Sequence, residues 1–360
     1  MRPGLPRVRD DIAVRPGYHS PQLDVAVRLN TNESPVPPPS GFAEALHERL
    51  DGIDWNRYPD RSAGRLRDMI AHRYSRSAEE VFVANGSNEV LQTLLLAFGG
   101  PGRKALTFEP TYAMHAQIAR NVSTEVVEVA RYDDLSIDLE LVMTAVDAQR
   151  PDVVFLCSPN NPTGVSDAPS LVAEVLQAVR GREILVIADE AYGQFARSSS
   201  VRLIDEDTPL VVSRTFSKTW AMAAARVGYV LGPSWVVAEL DKVVLPYHLD
   251  SFKQAVAETA LLFGDEMDAR VAELVDQRRW LQHELGSLDV DVWPSEANYI
   301  LFRPRGLDGQ TLWQRLVDHS VLVRNCATWP GLADCLRVTV GTESENQAFV
   351  TALKAALSPT

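Results

Sequence analysis

Cysteine is scarce in this chain: Cys157, Cys326 and Cys335 are three among 360 residues. An odd number without metal-ligand spacing argues against a disulfide scaffold and a cysteine zinc site, and it suits a reducing cytoplasm. Cys157 lies in an apolar run and is expected to be a small core residue; no metal is expected. Long apolar runs are also missing. None approaches the roughly 18 residues of a membrane span, and the first residues lack the apolar core of a signal sequence, so no membrane partner is expected. Positive charge is in deficit. The 35 Lys and Arg residues face 48 Asp and Glu, a net charge of −13. Such a surface gives no support to a nucleic-acid partner and would repel an anionic membrane. An anionic substrate must then be captured by local cations.

What is present is ordinary globular composition, with 46% hydrophobic and 23% charged residues. The length suggests two domains, or one large domain with a smaller appendage. The first 40 residues are proline-rich and end in a cluster at 35–39, which reads as an extended arm. Short apolar runs follow at 81–84, 105–108, 126–129, 153–157, 184–188, 210–213 and 227–231, most of them separated by helix-length segments such as 89–98, 112–120 and 170–179. This alternation predicts an α/β fold with a mostly parallel central sheet covered by helices. After about residue 250 the texture changes. One long helix is expected over 252–285, then strands at 299–302, 321–323 and 336–340. The expected division is an arm over 1–40 packing on the small domain, a large domain over 41–250, and a linking helix with a small α+β domain over 251–360.

Four segments follow predicted strands, where open α/β sheets place their ligands. Ser217-Lys218 ends one, with Arg226 and Gly228 just beyond. A free lysine is neutral in about one molecule in a few thousand at pH 7, so a lysine that attacks a carbonyl needs burial or nearby cations. Arg226 could be that cation and also bind a phosphate through its fork, and Ser217 could donate to the same phosphate. Alone, a Ser-Lys pair is better explained by a surface lysine. Asp189 closes a second strand, with Tyr192 three positions on. A carboxylate there is costly without a cationic partner, and a pyridinium N–H is one such partner; a helix cap explains Asp189-Glu190 equally well. Residues 158–164 form a Pro- and Gly-bounded turn that can aim the Asn161 amide. Residues 85–89 hold Gly86 and open a helix at Ser87 or Asn88, a ready phosphate site that is weak evidence by itself.

In order and spacing these segments resemble the fold-type I pyridoxal-phosphate aminotransferases, and within them the histidinol-phosphate aminotransferase group. Residues 29–35, 57–59, 84–91, 110–112, 294–298 and 336–341 extend the match over most of the chain. The resemblance implies pyridoxal 5'-phosphate as cofactor. Lys218 would carry it and then shuttle a proton between the substrate Cα and the cofactor C4′. Asp189 would pair with the pyridine nitrogen, Asn161 and Tyr192 would contact the phenolic oxygen, and Tyr112 would stack on the ring. Ser87, Asn88, Ser217 and Arg226 would hold the phosphate, joined by Tyr58 from a neighbouring subunit, which implies a homodimer. Arg337 would bind the glutamate carboxylate in one half-reaction and the phosphate of histidinol phosphate in the other, with Arg324 beside it. Tyr18 and Asn32 would close over the substrate.

Where the family usually has glycine, this chain has Ala224, which could displace Arg226 slightly. Residues 245–249 are expected to wall the substrate's ring pocket. The implied reaction converts L-histidinol phosphate and 2-oxoglutarate to imidazole acetol phosphate and L-glutamate. The rivals are an aromatic amino-acid aminotransferase, a threonine-phosphate decarboxylase and a non-catalytic cofactor-binding regulator. Retention of Lys218, Asp189, Asn161 and Arg337 together disfavours the regulator.

Overall fold

Apolar runs too short for helices become strands. In chain order these are β1 (Val27–Leu29), β2 (Val81–Ala84), β3 (Lys104–Glu109), β4 (Glu125–Ala130), β5 (Val153–Cys157), β6 (Leu185–Asp189), β7 (Leu210–Thr215), β8 (Gly228–Leu231), β9 (Val290–Val292), β10 (Tyr299–Pro304), β11 (Val321–Asn325) and β12 (Leu336–Thr339). They come from a computed structural model that describes residues 6–15, 17 and 22–358.

Seven strands form one sheet in the order β2-β8-β7-β6-β5-β3-β4. Strands β7, β6, β5, β3 and β4 run parallel, and β8 is antiparallel to both its neighbours. Every residue of β5 and β6 is buried, as a strand covered on both faces requires. Side chains alternate between two cores: Val186 and Ala188 enter one, Leu185 and Ile187 the other. Leu66 and Ile70 of helix Gly64–Arg73, with Val175 of helix Leu171–Ala178, fill the first core. Leu91 and Leu94 of helix Ser87–Phe98, with Ile118 of helix Met114–Asn121, fill the second.

The remaining strands form a sheet in the order β1-β11-β12-β10-β9. It is antiparallel except where β1 joins β11 in parallel. Leu281, Leu312 and Phe349, from three separate helices, pack on it. Among the described residues, no helix is long and apolar enough to cross a membrane.

Two expectations need correction. The long helix over 252–285 is two helices, Ser251–Leu261 and Gly264–Gly286. Between them Phe263 leaves helical geometry (φ −103°, ψ 38°) and packs its ring 6.1 Å from that of Phe42. Gly264 restarts the chain where a Cβ would stand 2.9 Å from the Arg73 guanidinium, which reaches past it to Asp268. Second, the arm is not confined to the small sheet. Val27–Leu29 adds an edge strand there, but Arg15 donates to Asn121 at 2.9 Å and Arg9 to Ser123 at 3.4 Å, both beside the larger sheet.

The C-terminal ends of β2, β3, β5, β6 and β7, with the start of β8, lie along one edge of the larger sheet. The loops leaving that edge carry the candidate site.

Candidate active site

A cavity of about 340 Å³ opens at this edge, between the two sheets. Ser87, Asn88, Tyr112, Asn161, Asp189, Tyr192, Ser217, Lys218, Arg226, Arg324, Arg337 and Asn32 all line it. Residues more than 300 positions apart in sequence are thus gathered in one pocket.

One end is a cradle. Gly86 has φ 82°, a conformation that favours glycine, and a Cβ there would lie 2.8 Å from the Arg226 guanidinium. Helix Ser87–Phe98 begins at the next residue, so its first amides open into the pocket with the positive end of the dipole. Behind them Gly228 lets β8 approach: a Cβ would fall 2.3 Å from the Ser87 nitrogen. Glu89 locks the turn by accepting from the Asn85 amide at 2.5 Å. Arg226 donates to the Ser217 hydroxyl at 3.1 Å, which joins the cation and the hydroxyl in one anion-binding group. Ala224 does not disturb this. It is exposed, and the left-handed positions of the segment are Ala221 (φ 56°) and Arg226 itself (φ 54°).

The middle of the pocket holds the chemistry. Lys218 Nζ donates to the Thr31 carbonyl at 3.2 Å. Burial, the Arg337 guanidinium and then Arg226 bring its pKa down to about 8, against the pull of Glu33. The nearby cation that matters most is therefore Arg337, not Arg226 as expected. At that value roughly one lysine in ten is neutral at pH 7. Asp189 is 2% exposed. One of its oxygens accepts from the Ala191 amide at 3.1 Å and the other faces His115 Nε2 at 2.8 Å. A carboxylate has about four acceptor positions, so two remain for another donor. Tyr192 is buried, its pKa is pushed up to about 12 by that burial, and Asn32 donates to its hydroxyl at 3.0 Å. It therefore stays a neutral phenol. The Tyr112 hydroxyl donates to Asn88 at 3.0 Å, tying the expected stacking ring to the cradle.

The other end is cationic. Arg337 is 6% exposed, donates to Asn161 at 2.5 Å and to the Asn30 carbonyl at 3.2 Å, and leaves its Nε without a partner. Arg324 lies over the Trp329 ring, 5.4 Å from its centroid. Asn32 is held from both sides, its backbone amide donating to Thr339 and its side chain to Tyr192, and it lines the pocket.

Other residues singled out in the sequence stand apart from this pocket. Tyr58, expected to act from a neighbouring subunit, lies outside its own chain's pocket, 80% exposed and stacked on Tyr247 at 4.5 Å. Residues 245–249 do not line it, because the His248 ring turns inward to stack on Phe82 and bonds the Val83 carbonyl at 2.9 Å. Cys157 is buried, but at the strand's end it also borders the pocket, and burial pushes its thiol pKa well up. Tyr18 lies outside the described residues.

Other residues escaped the sequence reading. His115 sits behind Asp189, stacked on Phe155 at 4.6 Å. Its place one helical turn after Tyr112 was the available signal. Asn160, next to Asn161, holds the turn together: it accepts from Thr111, donates to the Pro110 carbonyl and to Thr163, and its own carbonyl accepts from Tyr299. Trp329, Met114 and Gln117 complete the wall.

The family model for aminotransferase class I and II matches residues 24–353. The chain belongs to that family. It is 45% identical to a histidinol-phosphate aminotransferase of Frankia casuarinae, over 97% of this chain and 90% of that one. It is 43% identical to the Nocardia farcinica protein of the same name, over 97% and 92%. In fold it is similar to a histidinol-phosphate aminotransferase from Sinorhizobium meliloti solved in complex with pyridoxal-5'-phosphate (TM-score 0.88, 23% identity, 99% of this chain and 98% of that one).

Enzymes of this family work with pyridoxal phosphate, and the aminotransferase pocket fits that group on its own evidence. Because Gly86 and Gly228 lack Cβ atoms, the Arg226 guanidinium and the start of the helix at Ser87 close up into one cradle suited to a phosphate, and the buried carboxylate of Asp189 retains acceptor capacity for a pyridinium N–H. Lys218 lines the same pocket.

Proposed function

We propose that this aminotransferase exchanges an amino group between L-histidinol phosphate and 2-oxoglutarate, giving imidazole acetol phosphate and L-glutamate, a step of histidine biosynthesis. The observation that carries the reading is the cationic end of the pocket. Arg337 and Arg324 face a cavity that also holds Lys218, in a chain whose net charge is −13. One guanidinium fork donates to a carboxylate or a phosphate alike, so the same pair serves glutamate and a substrate without a carboxylate. The extent of identity to the Frankia and Nocardia proteins supports the same substrate.

Bound pyridoxal phosphate supplies an electron sink and a carrier for the amino group. The chain's residues do the rest. Asp189, steadied by His115 and the Ala191 amide, holds a proton on the pyridine nitrogen. Asn161 and Tyr192 offer donors to the phenolic oxygen. The first amides of helix Ser87–Phe98, at Ser87 and Asn88, bind the cofactor phosphate with Ser217 and Arg226. Tyr112 covers the ring. Lys218, neutral often enough at pH 7, would carry the cofactor and serve as the base that moves the proton taken from the substrate Cα.

Two chains complete the site in this reading. Tyr58 is unable to serve its own pocket from its exposed stack on Tyr247, but it is free to enter a partner's. Trp55 at 75% and Leu245 at 76% exposure add apolar surface for a homodimer contact. The three free, buried cysteines suit a cytoplasmic setting.

The test is kcat/KM for L-histidinol phosphate and for L-phenylalanine, each with 2-oxoglutarate. A large preference for histidinol phosphate is expected. A preference for phenylalanine would make this an aromatic aminotransferase and overturn the substrate assignment.

A further inference from the structure

The loop joining β11 to β12 brings a tryptophan to the cationic end of the pocket. It is a tightly closed loop: Cys326 N–H donates to the Cys335 carbonyl at 2.9 Å, and Trp329 N–H to the Cys326 carbonyl at 3.0 Å. Cys326, Leu332 and Cys335 are buried with Leu301 of the small sheet and with Leu135 and Val165 of loops from the larger one, and Trp329 packs against this cluster. The loop is thus clamped between the two bodies.

Trp329 makes two directed contacts from that position. Its indole N–H donates to the Thr111 carbonyl at 3.0 Å, across the cleft and one residue before Tyr112. Thr111 is itself fixed, its hydroxyl donating to Asn160 and its amide to Glu109. On the ring face lies the Arg324 guanidinium, 5.4 Å from the centroid. Trp329, Arg324, Arg337 and Tyr112 border the same cavity. A long arginine on a strand end loses much rotamer freedom when it must meet an anion, and a guanidinium already laid on an indole has less left to lose.

We propose that Trp329 is a positioning residue for the substrate anion: its ring holds Arg324 against the cleft, and its N–H anchors that assembly to the Thr111 carbonyl of the opposite body. The inference rests on the reading of Arg324 as a substrate-anion residue. It assigns Trp329 no contact with the reacting atoms. A tryptophan that only filled space would affect all steps alike, whereas a strut for Arg324 acts on substrate binding and only while Arg324 is present.

The experiment is a double-mutant cycle on the cofactor-loaded enzyme, reading KM and kcat for histidinol phosphate in Trp329→Ala, Arg324→Ala and the double variant. Trp329→Ala is expected to raise KM by about tenfold, leaving kcat and the cofactor's absorbance nearly unchanged. In the Arg324→Ala background the same substitution is expected to add little further. Multiplicative losses, or a fall in kcat with KM unchanged, would overturn the proposal. Trp329→Phe keeps a ring face without the N–H and is expected to lie between wild type and Trp329→Ala; it replaces alanine in the cycle if that variant does not fold. Should Arg324→Ala alone leave KM unaltered, the reading of Arg324 fails and the strut with it. An effect of Arg324→Ala that persists with no effect at Trp329 rejects the strut alone.

Discussion

The two ends of the pocket are built differently. At the cofactor end, positions follow from backbone: Asp189 terminates β6, the helix at Ser87 starts three residues after β2, and Gly228 opens β8 against it. At the substrate end, positions follow from side chains that bridge the two sheets. Arg337 on β12 reaches Asn161 after β5, Asn32 reaches Tyr192, and Trp329 reaches Thr111. A sheet edge is rigid and its geometry persists through many substitutions outside the glycines. A bridge of side chains changes with one residue. This family can therefore hold its chemistry while exchanging substrates, and each substitution below asks which end it belongs to.

The largest effect is expected at the centre. In the proposed reading Lys218→Ala removes both the group that carries the cofactor and the proton shuttle, and turnover is expected to fall by at least about a thousandfold. Transamination at near-normal rate would end the assignment, whatever the binding data say. Next comes the cradle. Gly228→Ala places a methyl 2.3 Å from the Ser87 nitrogen, where backbone has to move. The cofactor dissociation constant is expected to rise by about 10- to 100-fold, with about 1–3 kcal/mol lost in stability. Spectroscopic titration with pyridoxal phosphate checks the first and denaturant unfolding the second. An unchanged affinity would show that the backbone end is softer than the comparison claims.

At the substrate end the expected loss is in binding. Arg337→Lys keeps the charge but replaces a planar fork by a point charge. KM for histidinol phosphate and glutamate is expected to rise together, by about 10- to 100-fold, if both anions use that fork as proposed. A loss confined to one donor would separate the two anion sites and assign the other to Arg324.

The same contrast explains what could be seen from sequence. Lys218, Asp189 and Asn161 could be grouped because several segments of this kind follow apolar strands in the order of one family, although each alone had an ordinary structural explanation. Their supports were not legible. His115 is 74 positions from the Asp189 it faces, and Trp329 is 218 from Thr111. Nothing local in either segment marks the partner. The interruption at Phe263 was hidden because the apolar, helix-forming pattern continues on both sides; the aromatic contact with Phe42 is tertiary. Residues 245–249 misled for the opposite reason. An aromatic cluster near the active-site segments looks like a pocket wall, yet His248 satisfies itself on Phe82 and the Val83 carbonyl, and Tyr247 is occupied by Tyr58.

The smallest effect tests how the two ends communicate. Lys218 belongs to the backbone end, but its pKa of about 8 depends first on burial and next on Arg337, a residue of the other end. The sign is fixed by the depression. Protonated Lys218 is disfavoured in the folded chain, so that cost to stability is present below about pH 8 and fades as pH climbs from there toward the ordinary lysine value near 10.5. The neutral amine is the form that captures pyridoxal phosphate, so the capture rate of cofactor-free protein is expected to rise with pH and to level off above about 8. Arg337→Gln removes the cation while leaving the burial, which shifts the midpoint upward by a fraction of the full depression; Arg337→Lys, which keeps the charge, leaves it near wild type. Equal midpoints in all three proteins would mean that Lys218 is tuned without Arg337, and the two ends would then be independent in their electrostatics as well as in their construction.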